Sequence, residues 1–427
     1  MTKLKVRVNG QWKWMQMGTT PHPTIPGVLL QPVDGGPNFY GNNNYPITAA
    51  AYDDPDFFPI GVWFESVLTQ ADIDKDKDTG INTYVELTSN SDMTLIRNNG
   101  MYAITGGSFP GMGSETIGYL LTDEPDMAYP PGWDPGEGYT FVQDIANSLP
   151  DDGRIRFVNY GKGILLPTWG RPLATEVYLN SGFQQTVSSD LYWFTDQDIW
   201  GQPSGAPWNQ GGQFYNMMTR NLTKDECQRG CRYGDVVHFM RDHINRYRSE
   251  PVWGFVENGG PFPSNTLLTD YIRQQDMRSA VWHMIIAGAR GIIYFNHSFG
   301  GPHQDQHNFR NPAYAAIQAE AKEVNGRIQS LAAVLNDDFA LNFASVTPAP
   351  DLSTGINHMV KHHNGKFYIF ASSRNSETQD INATFTIPNG LGTTATVLFE
   401  NRTVPISNGS FGDYFEFGHT THIYRID

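Results

Sequence analysis

The chain has 427 residues, 39% hydrophobic and 17% charged, with 43 Gly and 27 Pro, enough for one large domain and a smaller one. Its net charge of -15 comes without any basic block, which argues against a nucleic-acid surface. No apolar run approaches the ~20 residues of a spanning helix, and Met1-Thr-Lys-Leu-Lys-Val-Arg-Val8 lacks the apolar core of a signal peptide.

The expectation is a soluble protein, cytoplasmic, or released or virion-associated if of phage origin. Cys227 and Cys231 are the two cysteines. Their spacing fits no zinc ribbon, and leaves a local disulfide and two free thiols both open.

Residues 1–50 read as an N-terminal extension rich in Gly, Pro and Asn. Within it Leu4–Trp14 predicts a β-hairpin turning at Asn9-Gly10. From Phe57 the pattern alternates strand and helix, the mark of a parallel sheet. The predicted strands are 57–65, 81–87, 101–105, 117–123, 154–160, 190–195, 252–257 and 291–295. Helices are expected near 68–79, 92–98, 139–149, 235–249, 267–288 and 313–335. A long Gly/Gln/Asn-rich insertion, 196–233, carries both cysteines and reads as a cleft-shaping loop. Residues 51–337 therefore predict a TIM (β/α)8 barrel. After Asp338 the texture changes to short alternating segments with Asn-Gly turns at 364–365, 389–390 and 408–409. Residues 338–427 predict a small antiparallel β-sandwich.

Two segments stand out. Ile117-Gly-Tyr-Leu-Leu-Thr-Asp-Glu-Pro125 and Val252-Trp-Gly-Phe-Val-Glu-Asn258 are apolar runs that end in glutamates. A strand covered on both faces reads as a continuous apolar run, and barrels carry chemistry at strand carboxyl ends. Glycoside hydrolysis needs one carboxylic acid to protonate the leaving oxygen and one carboxylate as nucleophile or base. Glu124 and Glu257 are the candidate pair. Taken singly, each is as readily a helix cap or loop salt bridge; it is their matching positions on strands four and seven that favour catalysis.

These motifs resemble the retaining clan A barrel glycoside hydrolases, which place an acid/base in Asn-Glu-Pro after strand four and a nucleophile glutamate after strand seven. The resemblance, over residues 55–427, implies Glu124 as acid/base and Glu257 as nucleophile. It implies an oligo- or polysaccharide substrate and no cofactor. The chain departs from that pattern in two places. Asp123 stands in the Asn position and adds a charge that would raise the pKa of Glu124. Glu86 ends strand two, where an arginine often stands. Further residues expected at the mouth to bind sugar are Trp63, Glu65, Glu86, Asp123, Tyr160, Tyr192, Trp193, Asn258, Asn296 and His297. His303 and His307 have a helical i, i+4 spacing, but the Gly and Pro before them favour a loop, and no metal site is assigned. The rival reading is a non-catalytic carbohydrate-binding or virion structural protein on a barrel scaffold.

Overall fold

The computed structural model describes residues 2–8, 11–17, 19–127, 135–165, 178–179, 181–200, 222–244 and 250–427. Eight parallel strands form the central sheet: β1 (Ile60–Glu65), β2 (Thr83–Leu87), β3 (Tyr102–Thr105), β4 (Thr116–Asp123), β5 (Ile155–Tyr160), β6 (Thr186–Ser189), β7 (Gly254–Glu257) and β8 (Ile292–Phe295). Their order is β6-β5-β4-β3-β2-β1-β8-β7. A parallel bridge between Val187 and Val252 joins the two ends and closes the barrel. Trp63, Val85, Ile104, Phe157, Trp253, Phe255 and Ile293 fill its interior. Val62, Tyr84, Leu121, Val158 and Tyr294 face a second, larger core under the helices. This alternation along each strand is why both faces need apolar residues.

The sixth strand is a correction. It is Thr186-Val-Ser-Ser189, and the apolar run after it, 190–195, forms a turn instead. The outer helices include α1 (Gln70–Asp78), α2 (Met93–Asn98), α3 (Pro135–Ser148), α4 (Cys231–Ile244), α5 (Gln274–Ile286) and α6 (Ala315–Ser330). Local chemistry starts them where they start. Thr69 and Asp72 form a capping box on α1, and Asp92 accepts from Thr94 and Leu95 N–H at the head of α2, each worth ~1 kcal/mol. The helix at Pro46–Tyr52 lies at the other end of the barrel, where the Thr48 hydroxyl donates to the Ile117 carbonyl and accepts from Ile155 N–H. Cys227 and Cys231 are free and buried. Among the described residues no helix is long and apolar enough to cross a membrane.

The C-terminal part is two antiparallel sheets. The larger runs Arg402–Pro405, Thr394–Val397, Thr421–Ile426, Lys366–Ser373, Ile356–His363, Phe339–Leu341, Leu29–Gln31, Thr20–Pro21. The smaller holds Ser345–Thr347, Ile381–Thr386 and Ser410–Phe415. Phe385 and Phe411 of the small sheet pack on Tyr424 of the large one, with centroids 5.2 and 5.1 Å away. The Asn364-Gly365 turn has positive φ at both residues, 50° and 75°, as a two-residue type I′ hairpin requires. Two strands from the N-terminal segment thus complete the C-terminal sheet. The first hairpin also forms, pairing Thr2–Val8 with Gln11–Met17; its Asn9-Gly10 turn lies outside the described residues.

The seam between barrel and sandwich is polar and paired. Arg374 grips Asp235 of α4 with two bonds of 2.8 and 2.9 Å, and Arg232 adds a third at 3.0 Å. Arg241 holds Asp34 with two bonds of 3.0 Å. Trp282 of α5 packs on Phe370, 6.2 Å between centroids.

Candidate functional site

The carboxyl ends of the strands gather acids. Glu65 ends β1, Glu86 lies in β2, Asp123 ends β4 with Glu124 next, Asp190 follows β6 and Glu257 ends β7. Asp126 folds back from the short 3-10 turn after Glu124. Lys162, whose charge acts on Glu124, is ion-paired to Asp196.

Glu124 is half-buried with φ of 45°. Its N–H donates to the Asn159 carbonyl, 2.9 Å, which fixes the chain where β4 leaves the ladder. A Cβ on Gly161 would lie 2.7 Å from Glu124 Oε1 and 2.5 Å from Met127 Cγ, so only glycine lets the carboxyl lie down there. Burial, then Asp126, push the Glu124 carboxyl up to about 7. Asp190, just after β6, hydrogen-bonds it, and burial, then Glu124, raise the Asp190 carboxyl well above the usual carboxylate range. Asp123 is exposed to solvent, yet surrounding protein and then Glu124 push it up to about 7. Asn159 donates to it at 2.9 Å. The sequence led us to expect Asp123 to raise Glu124; the acid that does so most is Asp126, which accepts from Gly161 and Ile164 N–H at 2.9 and 2.7 Å and is itself pushed up to about 7 by burial.

Glu257 has no exposed surface. Tyr233 O–H of α4 donates to Oε2 at 2.6 Å and Thr195 to Oε1 at 3.1 Å. Burial pushes the Glu257 carboxyl up to about 7, against the pull of those donors toward the charged form. Tyr192 links the two glutamates: its phenol lies in the fields of Asp190, Glu124, Asp123 and Glu257 together, and it donates to Asp190 at 3.3 Å.

The remaining predicted residues divide. Glu86 is half-buried at the rim and pushed up to about 7 by burial, then by Asp123. Glu65 is fully buried and engaged: Asn296 donates to Oε1 at 2.5 Å, His307 binds Oε2, and Arg310 stands 3.6 Å away. Asn296 and Asn258 are buried in the same network, Asn258 donating to Asn296 at 2.7 Å and accepting from Asn308 at 2.9 Å. His297 bonds the Trp63 carbonyl at 2.8 Å, and Trp63 points into the barrel against Phe255. Tyr160 and Trp193 are buried in the core under the helices rather than at the mouth. Electrostatics thus tie Glu86 to Asp123 and Asp123 to Glu124, and set Tyr192 in the fields of Asp123, Glu124 and Glu257, while Glu65, Asn296 and Asn258 form a hydrogen-bonded network of their own.

Asp126, Asp190, Thr195 and Tyr233 escaped the sequence reading. Asp190 had a usable signal, an acid directly after a β-branched strand, but that strand is polar and short. Backbone strain marks the same rim. Of ten described non-glycine residues with positive φ, six are Asn, while Phe64, Glu86 and Glu124 stand at the ends of β1, β2 and β4. Such conformations cost ~1–3 kcal/mol each and cluster at functional sites.

No protein-family model matches the chain, and no curated protein matches it. Solved structures that resemble it include a glycoside hydrolase family 30 subfamily 8 xylanase from Clostridium acetobutylicum, 13% identical over 86% of this chain and 96% of that one, TM-score 0.46. A family 51 α-L-arabinofuranosidase from Bifidobacterium longum is 11% identical over 87% and 96%, TM-score 0.47. A noncanonic maltogenic α-amylase from Thermotoga neapolitana is 8% identical over 87% and 99%, TM-score 0.48. The barrel itself is established by its strand order and closing bridge.

Proposed function

We propose that this protein hydrolyses O-glycosidic bonds of an oligo- or polysaccharide with retention of configuration, Glu124 acting as acid/base and Glu257 as nucleophile. The observation that carries the reading is a pair of glutamates at the carboxyl ends of β4 and β7, both pushed up to about 7 by burial but differently surrounded, Glu124 by acids and Glu257 by hydroxyl donors. Glu124 is pushed up to about 7 with acids around it, which suits a proton donor. Glu257 is faced by two donors that favour its anion. In the first step a Glu257 oxygen bonds the anomeric carbon as the glycosidic bond breaks, and the Glu124 proton passes to the leaving oxygen. In the second, Glu124 takes a proton from water, whose oxygen bonds the anomeric carbon and releases Glu257. A retaining pair works at a separation of ~5–5.5 Å.

The complete burial of Glu257 favours a second reading. Asp123 is the most exposed carboxyl of the group and Glu124 beside it is half-buried. Some retaining enzymes let a substrate 2-acetamido oxygen attack the anomeric carbon in place of a protein carboxylate. In that reading Asp123 holds the acetamido N–H and Glu124 remains the acid.

An aryl-glycoside panel with wild type, Glu124→Ala, Glu257→Ala and Asp123→Ala tests both. A Glu257→Ala protein that is dead but rescued by azide, yielding inverted glycosyl azide, establishes the first reading. Activity confined to 2-acetamido sugars, lost in Asp123→Ala and kept in Glu257→Ala, establishes the second. Loss of the acid should cost ~10²–10⁴-fold in rate, so undiminished activity in Glu124→Ala sinks both.

A further inference from the structure

The rim beside Glu86 is aromatic. In the β1–β2 ladder Trp63 pairs with Val85 and Glu65 with Leu87, while Phe64 and Glu86 between them are skipped. Both skipped residues have positive φ, 54° and 59°. Trp63 and Glu65 are buried on either side, and Phe64 between them is 43% exposed. Phe299, in the loop after β8, is also 43% exposed. His297 sits between them, its ring 6.3 Å from Phe64 and stacked at 5° on Phe299 with centroids 6.0 Å apart. His297 is anchored from beneath by the Trp63 carbonyl. The result is a strip of three rings, two of them open to water, held in place by a backbone conformation that a bulky residue rarely adopts.

This strip is continuous with the catalytic side. Phe64 lies level with Glu86 in the ladder, and Glu86 lies in the field of Asp123, which precedes Glu124. Aromatic faces of this kind match the apolar C–H face of a sugar ring. The acids beside it restrict which sugar at pH 8: Glu86, Asp123 and Glu124, pushed up to about 7, are charged above that value, and Lys162 is already taken by Asp196. A uronate, sulfate or sialate would meet like charge.

We propose that Phe64 and Phe299, held apart by the buried His297 ring, form a stacking subsite that binds a ring of a neutral glycan and delivers its glycosidic bond to Glu124. The proposal rests on the glycosidase reading for its ligand class.

Calorimetric titration of the Glu124→Gln protein at pH 8 with cellohexaose, xylohexaose, chitohexaose and hexagalacturonate tests it. At least one neutral hexaose should bind, and hexagalacturonate should not. Phe64→Ala and Phe299→Ala should each weaken that binding about tenfold, Phe64→Trp should retain it, and Phe399→Ala, an exposed phenylalanine of the C-terminal domain, should leave it unchanged. Should Phe64→Ala misfold, Phe299→Ala in its loop carries the test. Unchanged affinity in the foldable Phe variants, tighter binding of the anionic hexaose, or no binding of any neutral hexaose overturns the proposal. Binding that depends on both phenylalanines, with no hydrolysis by the wild type, upholds the subsite and overturns the glycosidase reading alone.

Discussion

The barrel mouth and the barrel–sandwich seam both enclose carboxylates, and they treat them in opposite ways. At the seam, burial alone would raise Asp235, but Arg374 and then Arg232 overcome it and hold it below the usual range. At the mouth, Glu86, Asp123, Glu124, Asp126 and Glu257 are all pushed up to about 7, with burial the leading cause. One chain therefore uses the same residue type in two ways. At the seam the acid is matched by arginine; at the mouth Lys162 pulls Glu124 down, and burial with the neighbouring acids outweighs it.

The sharpest way to break the comparison is Asp235→Ala. It strands Arg374 and Arg232, which are 4% and 1% exposed, and should cost about 3 kcal/mol, read by urea denaturation. The mouth should respond with the opposite sign. Glu257→Gln removes a buried charge and should stabilise the protein by about 2 kcal/mol at pH 8, while activity falls. A stability loss at pH 8 as large as that of Asp235→Ala would erase the distinction.

The pH dependence follows from the same asymmetry. Acids with folded values near 7 hold protons that the unfolded chain has released above ~4. Their contribution is full below that point and lost as pH rises toward 7. Asp235, held low, contributes above its unfolded value and loses that contribution as pH falls through its folded one. Wild-type stability should therefore decline between pH 4 and 7, and Glu257→Gln should flatten the decline.

Two smaller changes sharpen the contrast. Tyr233→Phe removes the stronger donor to Glu257, at about 1 kcal/mol. It should move the acid limb of the kcat/KM profile to higher pH, because the anion loses a partner. Gly161→Ala puts a methyl group against the Glu124 carboxyl. It should lower kcat about tenfold with a melting temperature within a few degrees of wild type.

Much of the barrel was legible because strands buried on both faces must be apolar. Residues 117–123 and 154–160 announced β4 and β5 almost to the residue. β6 was not legible, since Thr186-Val-Ser-Ser189 buries hydroxyls instead, and the richer run behind it drew the assignment. That slip placed Asp190 at the start of a strand rather than beyond its end, and hid its bond to Glu124. Glu124 and Glu257 could be picked out because a charge ending an apolar run is conspicuous. Their partners could not: Tyr233 reaches Glu257 from a helix, and Arg310 reaches Glu65 across 245 residues (310 minus 65). Tyr160 lies in its expected strand, but the assignment did not tell which face its ring takes, and Trp193, expected in a strand, is buried from a turn.

Leu29–Gln31 pairs with Phe339–Leu341, a partner 308 residues later (339 minus 31). At ~5–20 residues per second of synthesis, the early strand waits some fifteen seconds to a minute before that partner exists. Through that interval the whole barrel can emerge while one edge stands open. Its brevity, three residues, keeps the waiting edge a poor template for stray pairing. The C-terminal sheet is therefore the last part of the molecule able to close, and its closure ties the earliest strands to the latest.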